Sequence, residues 1–308
     1  AEKVRYARSG GEAMAIAVRI ARAHTGKDVV AFCGYHGWHD WYLSANLGTE
    51  NALGEHLIAG LEPNGVPKSL KGTSYPFRFN HIEELQKIVS EHGSNLAAVV
   101  MEPIRNDSPE PGFWDSVTKL TRSVGAVLVI DEISAGFRLC TGGAHLTFGI
   151  TPDIAVFSKG IANGYAMSAI IGRGSVMDAA QSTFISSTNW TERIGPTAAL
   201  ATIRKHNDCS VAEHLNAIGT KIQQGWTELG KQHGLKLDVG GIAPLSHFGF
   251  LHEDSLSMKA LFVQCMLERG ILASTSFYPM FAHTEQNVDR YLEAADRAFG
   301  EVSEQITL

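Results

Sequence analysis

The chain has 308 residues, 44% hydrophobic and 19% charged, with 26 basic against 32 acidic side chains and a net charge of −6. That length can bury a large core, in one large and one small domain, and the composition excludes both a disordered chain and a membrane-embedded one. The acidic excess argues against nucleic acid as main partner and leaves small molecules as the expected ligands. Cys33, Cys140, Cys209 and Cys265 lie far apart and form no C-x-x-C pair. Neither a zinc knuckle nor a disulfide framework is therefore expected, and a reducing cytoplasmic location fits. No apolar run is long enough for a bilayer, so no membrane partner is expected, and the start, at Ala1 rather than methionine, lacks a secretory-signal pattern.

After the short apolar stretch Val4-Arg5-Tyr6, the run from Ala13 to His24 places Ile16, Ile20 and small alanines at helical spacing and stops at Thr25-Gly26. Val29 to Cys33 reads as a strand. From Gly34 to Asn80, Gly, Pro and Asn are scattered among aromatics, which predicts a long surface excursion or active-site rim. Alternation then resumes, with helices at Ile82–Glu91 and Trp114–Ser123 and strands at Leu96–Met101, Ala126–Ile130, Ile154–Phe157 and Met167–Ile171. Short, wholly apolar strands alternating with helices predict an α/β fold whose mostly parallel sheet is covered on both faces. Beyond Ile194 the texture changes. Helices at Ile194–Lys205, Val211–Gln232, Leu256–Glu268 and Glu285–Val302 surround strand candidates at Leu235–Val239, Leu245–Leu251 and Ile271–Ala273. The expected organisation is a large α/β domain over 1–193, with connecting helices and a smaller α+β domain over 194–308. There is no internal repeat and no low-complexity tract.

Lys159, in Ser158-Lys159-Gly160, follows one apolar strand, and Asp131 ends another. A lysine and an acid delivered by strand ends can face one ligand. In apolar surroundings the ammonium is disfavoured, and the neutral amine becomes a nucleophile towards carbonyl compounds, the chemistry of a Schiff base. A buried aspartate needs a cationic partner, and the protonated pyridine nitrogen of pyridoxal 5'-phosphate (PLP) is one. The plainer reading of either residue alone is a turn lysine or a helix cap. Ser9-Gly10-Gly11 runs directly into the first helix, where unpaired N–H groups and the helix dipole make an anion site, though Ser-Gly is also a routine N-cap. Tyr35, flanked by Gly34 and Gly37 at a strand end, can lay its ring on a flat ligand or sit in the core. His36, His39 and Asp40 could ligate a metal, but no fourth ligand stands at an evident position, and no metal is expected.

Five elements, Ser9-Gly10-Gly11, Tyr35-His36-Gly37, Glu102-Pro103, Asp131-Glu132-Ile133 and Ser158-Lys159-Gly160, stand in an order that resembles the class III aminotransferases. These are fold-type I PLP enzymes, and the nearest flavour is that of glutamate-1-semialdehyde aminomutase and its relatives. The resemblance runs from about Val4 to the C-terminus; 131–138 and 158–164 are its most specific parts. It implies Lys159 as the lysine joined to PLP, Asp131 as the partner of the pyridine nitrogen, and Tyr35 and Ile133 on the two ring faces. Ser9, Gly10 and Gly11 would hold the phosphate, His36 and Glu102 would complete the cofactor-binding set, and Thr188 would reach the phosphate of a neighbouring subunit's cofactor in a homodimer with shared sites. Where the family has Gly-Asn-Pro after that threonine, this chain has Trp190-Thr191-Glu192-Arg193.

The implied activity is transfer of an amino group between an amine or amino acid and a carbonyl acceptor. Alternatives are an aminomutase of the glutamate-1-semialdehyde type or a cofactor-binding but inactive homologue. Against the aminomutase, the stretch 273–281 contains no acid where such relatives carry one, and their carboxylate-binding arginine comes from an N-terminal segment not contained here. Relatives carry residues upstream of the point matching Val4 that supply part of the substrate pocket. Cofactor binding is thus expected to survive, with substrate recognition weaker. Trp38, Trp41, Phe277 and Tyr278 are candidate pocket walls.

Overall fold

Wholly apolar strands of four to six residues have no wet face, so they belong in the middle of a sheet with helices on both sides. The computed structural model describes residues 1–49, 51–57, 60–104 and 106–306. Its first unit comprises β1 (Lys3–Ala7), α1 (Gly10–Thr25), β2 (Val29–Cys33), the single-turn helices α2 (Asp40–Leu43) and α3 (Ala45–Gly48), β3 (Ser74–Pro76), α4 (Ile82–His92), β4 (Leu96–Met101), α5 (Phe113–Ser123), β5 (Val127–Asp131), β6 (Ile154–Phe157), β7 (Ser168–Gly172), α6 (Gly174–Met177) and α7 (Ile194–Asp208). The seven strands form one sheet in the order β1-β7-β6-β5-β4-β2-β3. β3, β2, β4, β5 and β6 are mutually parallel, and β7 runs antiparallel to both β6 and β1.

Side chains alternate between the two faces of a strand. Val30, Phe32, Ala98, Val100, Val127, Val129, Ile154 and Val156 therefore form one core layer with Met14, Ala17, Val18 and Ala21 of α1. Their neighbours Val29, Ala31, Leu96, Val99, Leu128 and Ile130 form another with Leu85 and Ile88 of α4 and Phe113, Trp114 and Val117 of α5. α1 starts where Glu12 Oε2 accepts the Arg8 N–H at 2.8 Å. It ends at Gly26, whose left-handed backbone (φ +68°) returns its N–H to Arg22 O.

The chain divides into two compact units, one of 1–103 and 109–207, the other of 104–108 and 208–308. α7 thus falls in the first unit, its Ala199 packing with Phe137, Phe157 and Met167, whereas the boundary drawn from sequence at 193/194 precedes it. The second unit contains α8 (Val211–Gln232), β8 (Leu237–Gly240), β9 (Ser246–Phe250), α9 (Ser255–Glu268), β10 (Ser276–Phe277) and α10 (Glu285–Ile306). Its three strands are antiparallel in the order β10-β9-β8. Its core is aromatic: Phe248 meets Trp226 at a centroid distance of 4.9 Å, and Phe262 stacks on Phe299 at 5.1 Å.

Three elements differ from expectation. Val4-Arg5-Tyr6 lies within a strand because β7 offers it an edge. The long excursion after Gly34 contains β3, which pairs with β2 through Val30, Ala31 and Phe32. Ile271-Leu272-Ala273 forms no strand: β9 pairs instead with Ser276 and Phe277, and Leu272 is 91% exposed. An apolar triplet is not a strand without a partner edge. Among the described residues, no helix is long and apolar enough to cross a membrane.

Candidate active site

Parallel strands present their carboxyl ends along one sheet edge, and ligands of such sheets lie just beyond it. β2, β4, β5 and β6 are successive neighbours in the sheet and end at Cys33, Met101, Asp131 and Phe157. The residues that follow, Gly34 to Gly37, Glu102, Ile133 and Lys159, are therefore delivered to one edge. β1 joins them because two antiparallel pairings restore its direction: Ala7 pairs with Ser168, and Ala169 with Phe157. The chain leaves β1 at this edge and turns through Ser9 into α1.

Asp131 is 2% exposed, and its carboxylate is answered by named donors. Oδ1 accepts the Ile133 N–H at 2.9 Å, and Oδ2 lies 2.7 Å from His36 Nδ1. The other ring nitrogen of His36, Nε2, donates to Cys33 O at 3.1 Å. Both nitrogens of this buried histidine are engaged, so His36 offers neither to a metal nor to a ligand. It acts through Asp131. The pairing of His36 with Asp131, 95 residues apart, was not visible in the sequence; only a histidine beside the strand-end tyrosine hinted at it.

Lys159 follows Ser158, which is held by a relay in which Ser168 Oγ donates to Ser158 Oγ at 2.8 Å and Ser158 Oγ donates to Met167 O at 3.2 Å. Its backbone is left-handed, φ +44°, a conformation that costs a non-glycine residue about 1–2 kcal/mol and that functional sites retain. The side chain is exposed and Nζ donates to Ser134 Oγ at 2.8 Å. This corrects the expectation of a lysine deep in apolar surroundings: the chain leaves the sheet edge outward, away from the layers beneath. Ser134 was not singled out from sequence, and its place between Ile133 and Ala135 gave no signal.

The anion turn is built by contact. A Cβ on Gly10 would fall 2.8 Å from Ile133 Cδ1, and one on Gly37, whose φ is +99°, would fall 2.9 Å from Gly11 Cα. Glycine is needed for the turn to press against the loops after β5 and β2. The Ala13 N–H donates to Ser9 O at 3.0 Å, closing the first turn of α1, and the Ser9 side chain makes no capping bond. N–H groups ahead of a helix's first internal bond have no acceptor within the helix. Gly10 and Gly11 thus present donors and a helix dipole at a narrow cradle, which fits a phosphate monoester.

Tyr35 is 37% exposed, with its backbone N–H held by Glu102 Oε2 at 3.1 Å. Ile133 is half-buried. Thr188 is exposed in a turn. The residues after it are tied to the start of α1 within the same chain, since Trp190 Nε1 donates to Glu12 Oε1 at 3.3 Å and Arg8 Nη1 to Glu192 Oε1 at 2.6 Å. Glu192 also accepts the Ile194 and Gly195 N–H groups. These backbone bonds first, then Arg8, hold its carboxyl below the usual range. Of the candidate walls, Trp38 is exposed, while Trp41 is buried in the core and stacks on His36 at 6.1 Å. Phe277 and Tyr278 lie in the second unit.

The match to known proteins agrees with this geometry. Residues 1–299 match the family model "Aminotransferase class-III", and the chain belongs to that PLP-dependent family. It is 30% identical over 304 residues to the 2'-deamino-2'-hydroxyneamine transaminase of Streptomyces kanamyceticus, covering 98% of this chain and 72% of that protein. It is 27% identical over 317 residues to the 3-aminobutyryl-CoA aminotransferase of Cloacimonas acidaminovorans (strain Evry), covering 99% and 72%. Among solved structures, the FumI protein of Sphingopyxis sp. MTA144 in its PLP internal aldimine form superposes with a TM-score of 0.88 at 26% identity, over 100% of this chain and 72% of that one. The fold is that of the fold-type I PLP transaminases, and the chain is an aminotransferase; these relatives favour transfer between two substrates over the aminomutase reading.

The close approach at the anion turn is testable. Gly37→Ala adds a methyl against Gly11 backbone at positive φ and is expected to weaken PLP binding about tenfold or more, with a stability loss of roughly 1–3 kcal/mol. Gly26→Ala, also at positive φ but with nothing within 4 Å of its Cβ, should cost stability only. Equal PLP affinity in both, read by fluorescence titration, would remove the cradle.

Proposed function

We propose that Lys159, Asp131 and the Ser9–Gly11 turn together hold PLP and carry the amino transfer. The observation behind this reading is the delivery of all three to one sheet edge, with Lys159 in a strained backbone conformation there. Gly10 and Gly11 would take the phosphate on their N–H groups, with Ser9 beside them. Tyr35, placed by Glu102, and Ile133 would bracket the ring. Asp131 would answer the ring nitrogen, and His36 is its positioning residue. Bound PLP supplies the electron sink that lets an amino group leave or join carbon.

The protein's own share is orientation and proton transfer. Lys159 Nζ would take the proton from the substrate carbon as base and then, as acid, deliver it to the cofactor carbon that keeps the amino group. Ser134 Oγ gives that amine a resting partner at 2.8 Å. Asp131 would act electrostatically: His36 and Ile133 each engage one carboxylate oxygen and hold the group in place, and the oxygens keep acceptor capacity for the ring nitrogen.

We further propose a homodimer in which Thr188 serves the partner's phosphate, and a cytoplasmic location in keeping with four unpaired cysteines. The segment around Thr188 favours the dimer: Phe184 and Ile194 are large, apolar and exposed, Phe184 at 93%. Large apolar side chains left in water are the kind that a partner subunit covers.

Borohydride reduction of the PLP-loaded protein followed by peptide mapping should place the label on the peptide containing Lys159, and Lys159→Ala should take up PLP without becoming labelled. Label on another lysine would refute the assignment. Asp131→Asn keeps the shape and removes the charge; turnover should fall roughly 10²–10³-fold, with PLP still bound. Near-normal turnover would mean another group answers the ring. Sedimentation should give a dimer that Phe184→Asp weakens; an active monomer would eliminate the shared site.

A further inference from the structure

Arg19 and Arg22 stand three residues apart on one stripe of α1. Together with apolar side chains of that helix and with Trp38, His39, Asp40 and Trp41 they line a cavity of about 490 Å³. At the 1.5 Å rise of an α-helix, Arg19 lies about 12 Å along α1 from Gly11. The arginine end of the cavity is therefore separate from the anion turn.

Its wall is unusual in what it leaves unanswered. Among the described residues, four buried side-chain atoms lack a hydrogen-bond partner, and three of them, Arg22 Nη2, His39 Nδ1 and Trp41 Nε1, belong to residues of this wall. His39 Nδ1 lies on the side of the phosphate turn, 3.1 Å from where a Gly11 Cβ would fall. The other two point to the cavity's chemistry. Trp41 is 6% exposed, and an indole nitrogen can only donate, as can a guanidinium. Arg22 spends its Nε on Asp28 O at 2.8 Å. Burial is also the main influence on its guanidinium, lowering its proton affinity against the pull of Asp28. Asp40 is the one carboxylate in the wall, and it forms no ion pair with either arginine among the described residues. Donors therefore outnumber acceptors. Over them Trp38, 70% exposed, stacks on His39 with ring centroids 4.7 Å apart and 22° between planes.

We propose that this cavity is a second ligand site, for a small organic carboxylate with a flat apolar body. The carboxylate would accept from the Arg19 and Arg22 guanidinium groups, whose forked donors match two oxygens, and from the Trp41 indole N–H. The flat body would lie against the Trp38 ring. The volume falls within the roughly 300–1,000 Å³ of small-molecule sites. The site is independent of the PLP assignment, because it uses none of those residues.

The test takes the full chain loaded with PLP and benzoate as probe. Calorimetry should show benzoate saturating one site per chain, and the Trp41 indole N–H resonance, assigned with Trp41→Phe, should move with occupancy. Benzamide has the same shape without the charge, and should bind about ten- to a hundredfold more weakly, the range of a charge-assisted pair. Arg22→Gln should weaken benzoate about tenfold. Because Arg22 also holds Asp28 O, Arg19→Gln is the independent variant, with the same expected loss and unchanged PLP absorbance and turnover. No saturation below roughly 10 mM, benzoate affinity in both arginine variants unchanged from that of the unsubstituted chain, or inorganic phosphate binding as tightly as benzoate would overturn the proposal. Loss of benzoate binding in Asp131→Asn would overturn it too, by placing the probe at the catalytic edge.

Discussion

A carboxylate at the end of a wholly apolar strand must be answered, and the answer given to Asp131 organises the rest of this site. His36 reaches it from the loop after β2 and turns its second nitrogen back to Cys33 O. One imidazole thus ties the end of β5 to the end of β2 across the intervening β4. Charge-assisted bonds of this kind contribute roughly 1.5–3 kcal/mol each, and here they also set geometry. With His36 fixed, Gly37 is brought against Gly11, so the seat of the Ser9–Gly11 turn is settled by the same contact that settles the acid.

The neighbouring acid shows how position divides labour. Glu132 points away from the edge and is fully buried. It accepts the Ala144 and His145 N–H groups at 2.9 and 2.8 Å, and its Oε1 lies 2.7 Å from His145 Nδ1. It pins the loop between β5 and β6, and with it the path to Lys159. Adjacent residues at a strand end face opposite ways, so Asp131 meets the sheet edge while Glu132 holds the loop. Strain gathers at the same place: Phe137 and Lys159 both take left-handed backbones, at φ +62° and +44°, and the packing around them holds those conformations.

Much of this protein was legible in its sequence. The strands at Val29–Cys33, Leu96–Met101 and Ile154–Phe157 and the helix at Val211–Gln232 appear with the limits that apolar period and turn residues imply, because wholly buried strands and a long amphipathic helix are fixed by local pattern. The five motifs and their order in the chain are by themselves enough to point to the family. Lys159 and Asp131 could be singled out because a residue ending a parallel strand has only one edge to occupy.

What sequence could not decide was everything that depends on a partner distant along the chain. β1 and β3 are strands only because β7 and β2 offer edges, while Ile271-Leu272-Ala273, more apolar than either, has no edge and stays outside the sheet. The engagement of His36, the outward course of Lys159 to Ser134 and the burial of Trp41 follow likewise from contacts spanning tens of residues. Sequence by itself determined which segments carry an apolar face to bury and which chemistry their side chains could perform, since those are properties of side-chain type and local period. Tertiary structure alone decided which of them meet, because the direction of a side chain at a strand end is set by its neighbours in the sheet.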